Sequence, residues 1–457
     1  MYREISRQLF SFIEKCPTAC HTADTSAAML KKAGYTELFE EELWTLRPGG
    51  KYYVVRGMSS LIAFQLPKSD YRSFLIVAPH GDAPGFKVKE NPEMRTAGAY
   101  ARLNTEVYGG IELNLWQDRP LSVAGRVLVR TEDGVEARLV NLERDLLIIP
   151  SLAIHLKPQI NDGMKMNPQI DSIPLYGSES ADLVKLIAQE LSVSSGDILS
   201  HDLFLYCRQK GGFFGEEEDF IFSPKLDDLQ SVFSALTAFL AAENEAHVPV
   251  LSIFDNEEIG SMTKQGAHST FLADVLSRIS LGCGKNEQET AASVAASFIL
   301  SADNGHAAHP NHPEKADPTN LCYPNKGVVI KHNSKYATDG ISAAVFKYIC
   351  EMADIPTQSY FKRSDERGGS TLGNIIGTHV SSHIADIGLA QLAMHSPCES
   401  GGAKDTKYMA DALKAFYCSS ITLTDGGRRF KINSKPSESQ KSLWQDISSS
   451  SRAFKGN

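Results

Sequence analysis

Acids and histidines recur where apolar runs of this chain end. They stand in "PHGD" (His80, Asp82), "KLDDL" (Asp227, Asp228), "DNEE" (Glu257, Glu258), "SADNGHAAHPNH" (Asp303, His306, His309, His312) and "LAMHSPCE" (His395, Glu399). Two histidines and several carboxylates, without a thiolate, form a nitrogen and oxygen donor set suited to zinc, manganese or cobalt. A carboxylate in excess of the ligands could act as base on a water that the cation acidifies. The spacing His80-x-Asp82 suits an imidazole that binds metal through one nitrogen while a nearby carboxylate holds the other N–H. Taken singly, each of these acids has the plainer reading of a solvated loop residue or helix cap. Their recurrence at strand ends is what points to a site.

The stretch "SIFDNEEIGS", Ser252 to Ser261, sets two glutamates side by side. Neighbours on an extended strand face opposite ways, so Glu257 and Glu258 share one site only if the chain turns there. Asp255, Asn256 and Gly260 are turn formers that allow it. Adjacent residues can hardly flank one sugar bond, which argues against glycoside hydrolysis. The series His306, His309, His312 would align on a tight helix, but Pro310 and Pro313 break any such helix. A structured loop is expected instead, with His306 and His309 supporting Asp303.

Elements must bring these residues together. "SLIAFQL" and "SFLIVAPHGD", within 60–89, have the length of buried strands, and the second ends in polar residues. From about residue 91 to 215 the texture changes to short β-type runs broken by glycine and charge, among them "VYGGIELNLW", "LSVAGRVLVRT" and "EARLVNL". That reads as an inserted, β-rich second domain. Beyond it, strands and helices alternate. In "KLDDLQSVFSALTAFLAAENE" Leu229, Val232, Phe233, Leu236, Phe239 and Leu240 fall on one helical stripe. The strands "VPVLSIF", "SFILSA", "GVVIKH", "QSYF" and "HIADIG" are separated by helical stretches, which implies a mostly parallel sheet with helices on both faces. The expected fold class is thus α/β: a three-layer α/β/α catalytic domain over 1–90 and 216–435, an inserted β-rich domain over 91–215, and a loosely held Ser- and Lys-rich tail over 436–457. In such a sheet the C-terminal strand ends lie along one edge, where residues distant in sequence converge.

With 457 residues the chain exceeds the size at which a single core stops growing. Its net charge of −9 argues against nucleic-acid or anionic-membrane surfaces, which need basic patches. The N-terminus mixes charges with apolar residues at helical spacing and reads as an amphipathic helix, not a signal peptide. No run approaches the roughly 18 apolar residues of a membrane span. Eight scattered cysteines form no disulfide framework, so a cytoplasmic location is expected. "CPTACH" (Cys16, Cys20, His21) invites a zinc reading, but no second cysteine pair stands at finger spacing, and buried thiols are expected.

Beyond these readings, the chain resembles the aspartyl aminopeptidase family, the M18-type di-zinc metallopeptidases. The resemblance rests on "WTLRPGGKYYVVRGMSSLIAF", "HGDAPGFKVK", "YGGIELNLWQDRPLSVAGRV", "LAIHL", "KLDDL", "DNEEIGS", "SADNGHAAHPN", "VIKHNSKYAT" and "DIGLAQLAMHS", in the family's order and over most of the chain. It implies removal of N-terminal residues from peptides with a free amino terminus. His80 and Asp303 would hold one zinc, Glu258 and His395 the other, and Asp227 would bridge both. Asp82 would orient His80, and Glu257 would be the general base. The resemblance further implies that Lys331 meets an acidic substrate side chain, against the plain reading of a surface lysine just past a strand. His155 would reach a neighbouring subunit's active site in a dodecamer built from dimers, and Gly368, Gly369, Ser370 and Thr371 would line the substrate pocket.

The sequence departs from the family at three points. "HSPCE" has Cys398 where Arg is usual, Asp228 replaces a common Asn, and "HGDAPGF" differs from the usual "HTDSP". No ligand and no base is lost, which weighs against a non-catalytic shell protein. The alternative within enzymes is another co-catalytic metal hydrolase, a carboxypeptidase or an N-acyl amino acid deacylase.

Overall fold

The computed structural model describes residues 1–434 apart from 97, 158–160, 162, 164, 367, 368 and 370. The tail expected over 436–457, Gly368 and Ser370 lie outside the described residues. Nine strands form the central sheet, in the order Thr36–Leu38, Lys51–Arg56, Ser60–Gln65, His247–Ile253, Ser73–Ala78, Phe298–Ala302, His383–Gly388, Val328–His332, Thr357–Phe361. Its middle four, from His247–Ile253 to His383–Gly388, are mutually parallel. Strands covered on both faces need apolar residues on both, so "SFLIVA" and "FILSA" are buried throughout rather than alternating.

Helices cover both faces. On one side Tyr2–Lys15, Leu226–Leu240, Gly340–Met352 and Asp405–Tyr417 share a core with the sheet; on the other, Phe271–Gly282 and Leu372–Ile376 do. Helix Leu226–Leu240 departs from the single apolar stripe expected of it: every residue from Leu226 to Phe239 is buried. Its remaining faces carry Ser231, Ser234, Ala235 and Ala238, side chains small enough for neighbouring elements to close over them. Ser234 Oγ disposes of its hydrogen by donating to the Gln230 carbonyl at 2.7 Å.

A second sheet, wholly antiparallel in its pairings, holds strands drawn from Gly85 to Cys207, in the order Gly134–Asn141, Leu121–Thr131, Ile198–Cys207, Gly85–Thr96, Tyr100–Tyr108, Leu175–Ser178. It has its own core, with Phe86, Trp116, Val123, Leu203 and Leu205. The run "VYGGIELNLW" is not one strand. The strand stops at Tyr108, and Leu113–Trp116 forms a 3-10 turn. A five-stranded sheet of short segments, Gly212–Phe214, Phe220–Ser223, Glu399–Gly402, Ala390–Leu392 and Gly305–His306, completes the frame and was not foreseen. Strands of two to four residues show no readable period. Cys16 and Cys20 are buried thiols.

Candidate metal centre

The C-terminal ends of the parallel strands deliver the predicted residues to one place. His80 follows strand Ser73–Ala78, Asp303 follows Phe298–Ala302, and Glu257 and Glu258 follow His247–Ile253. Asp227 sits in the first turn of helix Leu226–Leu240, and His395 in the loop between two strands of the small sheet. The chain does turn after the double-acid strand: Asn256 is left-handed (φ 61°), Glu257–Ile259 form one 3-10 turn, and Gly260 takes φ 96°, which only glycine adopts freely. Both glutamates thereby face the same cluster.

Three overlapping groups of donor atoms lie within 4.8 Å of one another: His80, Asp227 and Asp303; Asp227, Glu258 and His395; His80, Glu257 and Glu258. Asp227 joins the first two. One of its oxygens is 3.4 Å from His80 Nε2 and the other 3.5 Å from His395 Nε2. Asp303 Oδ1 is 3.9 Å from His80 Nε2, and Glu258 Oε2 is 3.3 Å from His395 Nε2. Asp82 lies behind His80, its Oδ1 3.3 Å from Nδ1, and accepts the backbone N–H groups of Glu257 and Glu258 at 3.1 and 3.2 Å.

The electrostatics are those of acids crowded in a poorly hydrated pocket. Burial pushes the Glu257 carboxyl up to about 7, with His80 opposing and Asp303, Asp82 and Asp227 adding to the rise. Burial and then Asp227 push Glu258 well above the carboxylate range. For Asp227 burial acts upward too, but the nearby imidazoles of His395 and His80 outweigh it and hold its carboxyl low. Burial opposes protonation of His80, yet the hydrogen-bonded carboxylates of Asp227, Asp303 and Asp82 raise it well above the usual imidazole value. Asp228, where the resemblance leads one to expect an amide, is buried, and burial lifts its carboxyl well above its ordinary value. Asp227 Oδ1 and Glu258 Oε1 are buried without a hydrogen-bond partner. Orphaned carboxylate oxygens are costly unless something electropositive meets them, and a hard or borderline divalent cation such as zinc fits this donor set.

Other predicted residues sit differently. Lys331 is no surface lysine: it lies within strand Val328–His332 and is 2% exposed. Its ammonium donates to the Asp303 carbonyl (2.7 Å), Asp303 Oδ2 (3.1 Å) and the Asn304 carbonyl (3.3 Å), which uses all three of its N–H bonds. Asp303 is therefore supported by Lys331, where His306 and His309 were expected. His309 instead pairs with His312 on the surface, with rings 5.3 Å apart, and His306, His309 and His312 belong to none of the metal-capable groups among the described residues. His155 is exposed on the turn Ile154–Leu156, beside exposed Leu152, Ile154 and Leu156. Gly369 is also exposed.

One contributor had no role assigned from sequence. Glu399, 1% exposed, accepts the backbone N–H of Asp227 at 2.9 Å and that of His395 at 2.7 Å, so one carboxylate steadies two of the clustered residues. Burial, then Asp227, push it up to about 8. Its only signal was an acid four residues after His395. A cavity of about 420 Å³ adjoins the cluster, lined by Asp82, Asp227, His395 and Glu399 on one side and by Tyr108 and Tyr206 of the second sheet and Trp116 of the 3-10 turn on the other.

Fold and donor set together describe a metal-dependent hydrolase. A family model described as "Aminopeptidase I zinc metalloprotease (M18)" matches residues 12–417, and the chain belongs to that family of zinc aminopeptidases. A probable M18 family aminopeptidase 2 of Clostridium novyi is 43% identical over 426 residues, covering 91% of this chain and 98% of the relative. Its namesake in Ectopseudomonas mendocina is 37% identical, covering 92% and 99%. Among solved structures, the chain superposes on a chain of the cryo-EM structure of the Ape4 and Nbr1 complex with a TM-score of 0.88, at 34% identity over 91% of this chain and 86% of that one. The S. cerevisiae mApe1 dodecamer gives 0.81 at 27%, covering 91% and 97%.

Proposed function

We propose that this protein removes the N-terminal residue from peptides with a free amino terminus, using two zinc ions, for which cobalt or manganese can substitute. His80 and Asp303 would hold one ion and Glu258 and His395 the other, Asp227 would be shared by both, and Asp82 would orient His80. Bound there, the cations supply Lewis acidity that activates water and polarises the first peptide carbonyl. Glu257 takes the proton from the attacking water and passes it to the leaving amine. The observation that carries this reading is Asp227, whose two oxygens face different histidines.

A preference for N-terminal Asp or Glu would draw on Lys331. Since its N–H bonds go to Asp303 and Asn304, a substrate carboxylate must take over one of them. The insertion over 91–215 serves self-association into dodecamers built from dimers, with His155 completing a neighbouring subunit's site. The exposed apolar residues around His155 and the dodecameric S. cerevisiae relative support this. All eight cysteines are unpaired, in keeping with a cytoplasmic location. Among the described residues no helix is long and apolar enough to cross a membrane.

The test is zinc titration with metal analysis, beside release of Asp, Glu, Leu and Lys from aminoacyl anilides and their N-acetylated forms. Two zinc ions per chain and chelator-sensitive cleavage of the free-amine substrates alone are expected. Absence of bound zinc, or equal cleavage of the acetylated forms, would refute the reading.

A further inference from the structure

The motif "YGG", where strand Tyr100–Tyr108 of the second sheet ends, is not used by the mechanism above, yet it touches the metal centre at three points. The Tyr108 hydroxyl donates to Asp82 Oδ2 at 2.8 Å. Gly109, at φ 72°, packs so closely that a Cβ there would lie 3.2 Å from both Glu258 Cβ and the Glu258 carbonyl. The Gly110 carbonyl is 2.6 Å from His395 Nδ1.

These contacts decide chemistry. A carbonyl only accepts, so His395 Nδ1 must carry the hydrogen, and Nε2, which points at Asp227 and Glu258, is the nitrogen left to ligate. His80 is set the same way by a different route. Its Nδ1 meets the Asp82 backbone carbonyl at 3.2 Å and Asp82 Oδ1 at 3.3 Å, while Nε2 points into the cluster. Asp82 is in turn held by Tyr108, whose hydroxyl accepts from Asn256 Nδ2 at 2.9 Å and so aims its own proton at Asp82. Outer partners of this kind fix ligand tautomer and ring orientation, and their loss costs about 10–100-fold in metal affinity.

We propose that Tyr108, Gly109 and Gly110 are positioning residues that present Nε2 of both histidines to the metals, making the inserted sheet part of its own chain's metal centre. The inference rests on the metal reading above. It gives the second sheet a role within each subunit, separate from any between subunits, and explains why Gly109 stands where that strand end meets the catalytic cluster: a residue without a Cβ, at φ 72°, permits the close approach that brings the Gly110 carbonyl to His395.

The experiment measures zinc dissociation constants by chelator competition in the full-length protein, with the visible spectrum of the cobalt-loaded form as a second readout. Tyr108→Phe should weaken zinc about 10–100-fold and alter the cobalt spectrum, with turnover recovered by excess zinc and KM unchanged. Phe204→Leu removes packing from the Tyr108 ring, 5.3 Å away, without touching its hydroxyl. It should lower the melting temperature and leave zinc affinity as in the wild type. Tight wild-type binding that persists in Tyr108→Phe overturns this inference alone, as does an equal loss of affinity in Phe204→Leu. A wild type that binds no zinc overturns the metal reading and this inference with it.

Discussion

Strands Ser73–Ala78 and His247–Ile253 run side by side, and their two ends are opposites. At the N-terminal ends His247, fully buried, uses both ring nitrogens: Nδ1 meets Ser73 Oγ at 2.8 Å, and Nε2 accepts the Ile421 N–H at 3.1 Å. Burial, helped by Arg72, pushes it down to about 4, so it stays neutral and ties the hairpin Ser419–Thr424/Arg429–Ser434 to the sheet. At the C-terminal ends His80, Glu257 and Glu258 join a cluster with orphaned carboxylate oxygens and raised carboxyls. One end of the strands closes its polar groups on each other, while the other leaves them open for a ligand. The comparison teaches that burial alone does not mark a functional polar group; what sets the C-terminal ends apart is that several carboxylates, two of them with unpaired oxygens, converge on the same two histidines.

That contrast can be broken by experiment. The largest effect is expected from chelation, which should abolish turnover and, from free zinc at a thousand times its dissociation constant, remove about 4 kcal/mol of stability for each zinc site. Melting curves with and without chelator check it, and an unchanged melting temperature would contradict it. Glu257→Gln comes next: turnover falls about 10³-fold while bound zinc is retained, as steady-state rates and metal analysis will show. Turnover that survives this change removes Glu257 as base. Lys331→Ala should lower kcat/KM about tenfold more for Asp and Glu substrates than for Leu, roughly 1.4 kcal/mol of discrimination. An equal loss on every substrate would assign Lys331 to holding Asp303 and nothing else.

The smallest effect belongs to the closed end. His247→Leu leaves the Ile421 N–H and the Ser73 hydroxyl unpaired and should cost about 1–3 kcal/mol at pH 7.5, without altering turnover below the melting range. His247 titrates lower when folded, near 4, than when unfolded, near 6.5, so its contribution is complete above the unfolded value and shrinks as pH falls toward the folded one. The stability gap between wild type and variant should therefore narrow by up to roughly 1.4 kcal/mol per unit between pH 6.5 and 5. A gap that widens over this interval would show that His247 is charged when folded.

Legibility from sequence was uneven for physical reasons. The turn at Asp255–Gly260 was readable because turn residues act locally, and the fully apolar strands because burial on two faces leaves a continuous signature. The five-stranded sheet was not, since its segments are too short to show a period. Lys331 was open to the reading of a surface cation as well as a substrate contact, because nothing within a few residues reveals that Asp303 and the Asn304 carbonyl wait for it, 28 and 27 residues away.

What the sequence determined by itself is the inventory: two histidines, a set of carboxylates, the strands that end beside them and the family to which their order belongs. What only the tertiary structure decided is direction. Which nitrogen of His395 faces the cluster depends on the carbonyl of Gly110, 285 residues earlier, and which oxygen of Asp227 meets which histidine depends on how a helix start and a loop of the small sheet are set against the central sheet. Donor identity is a property of single residues. Lone-pair orientation belongs to contacts between distant ones, and no local pattern encodes it.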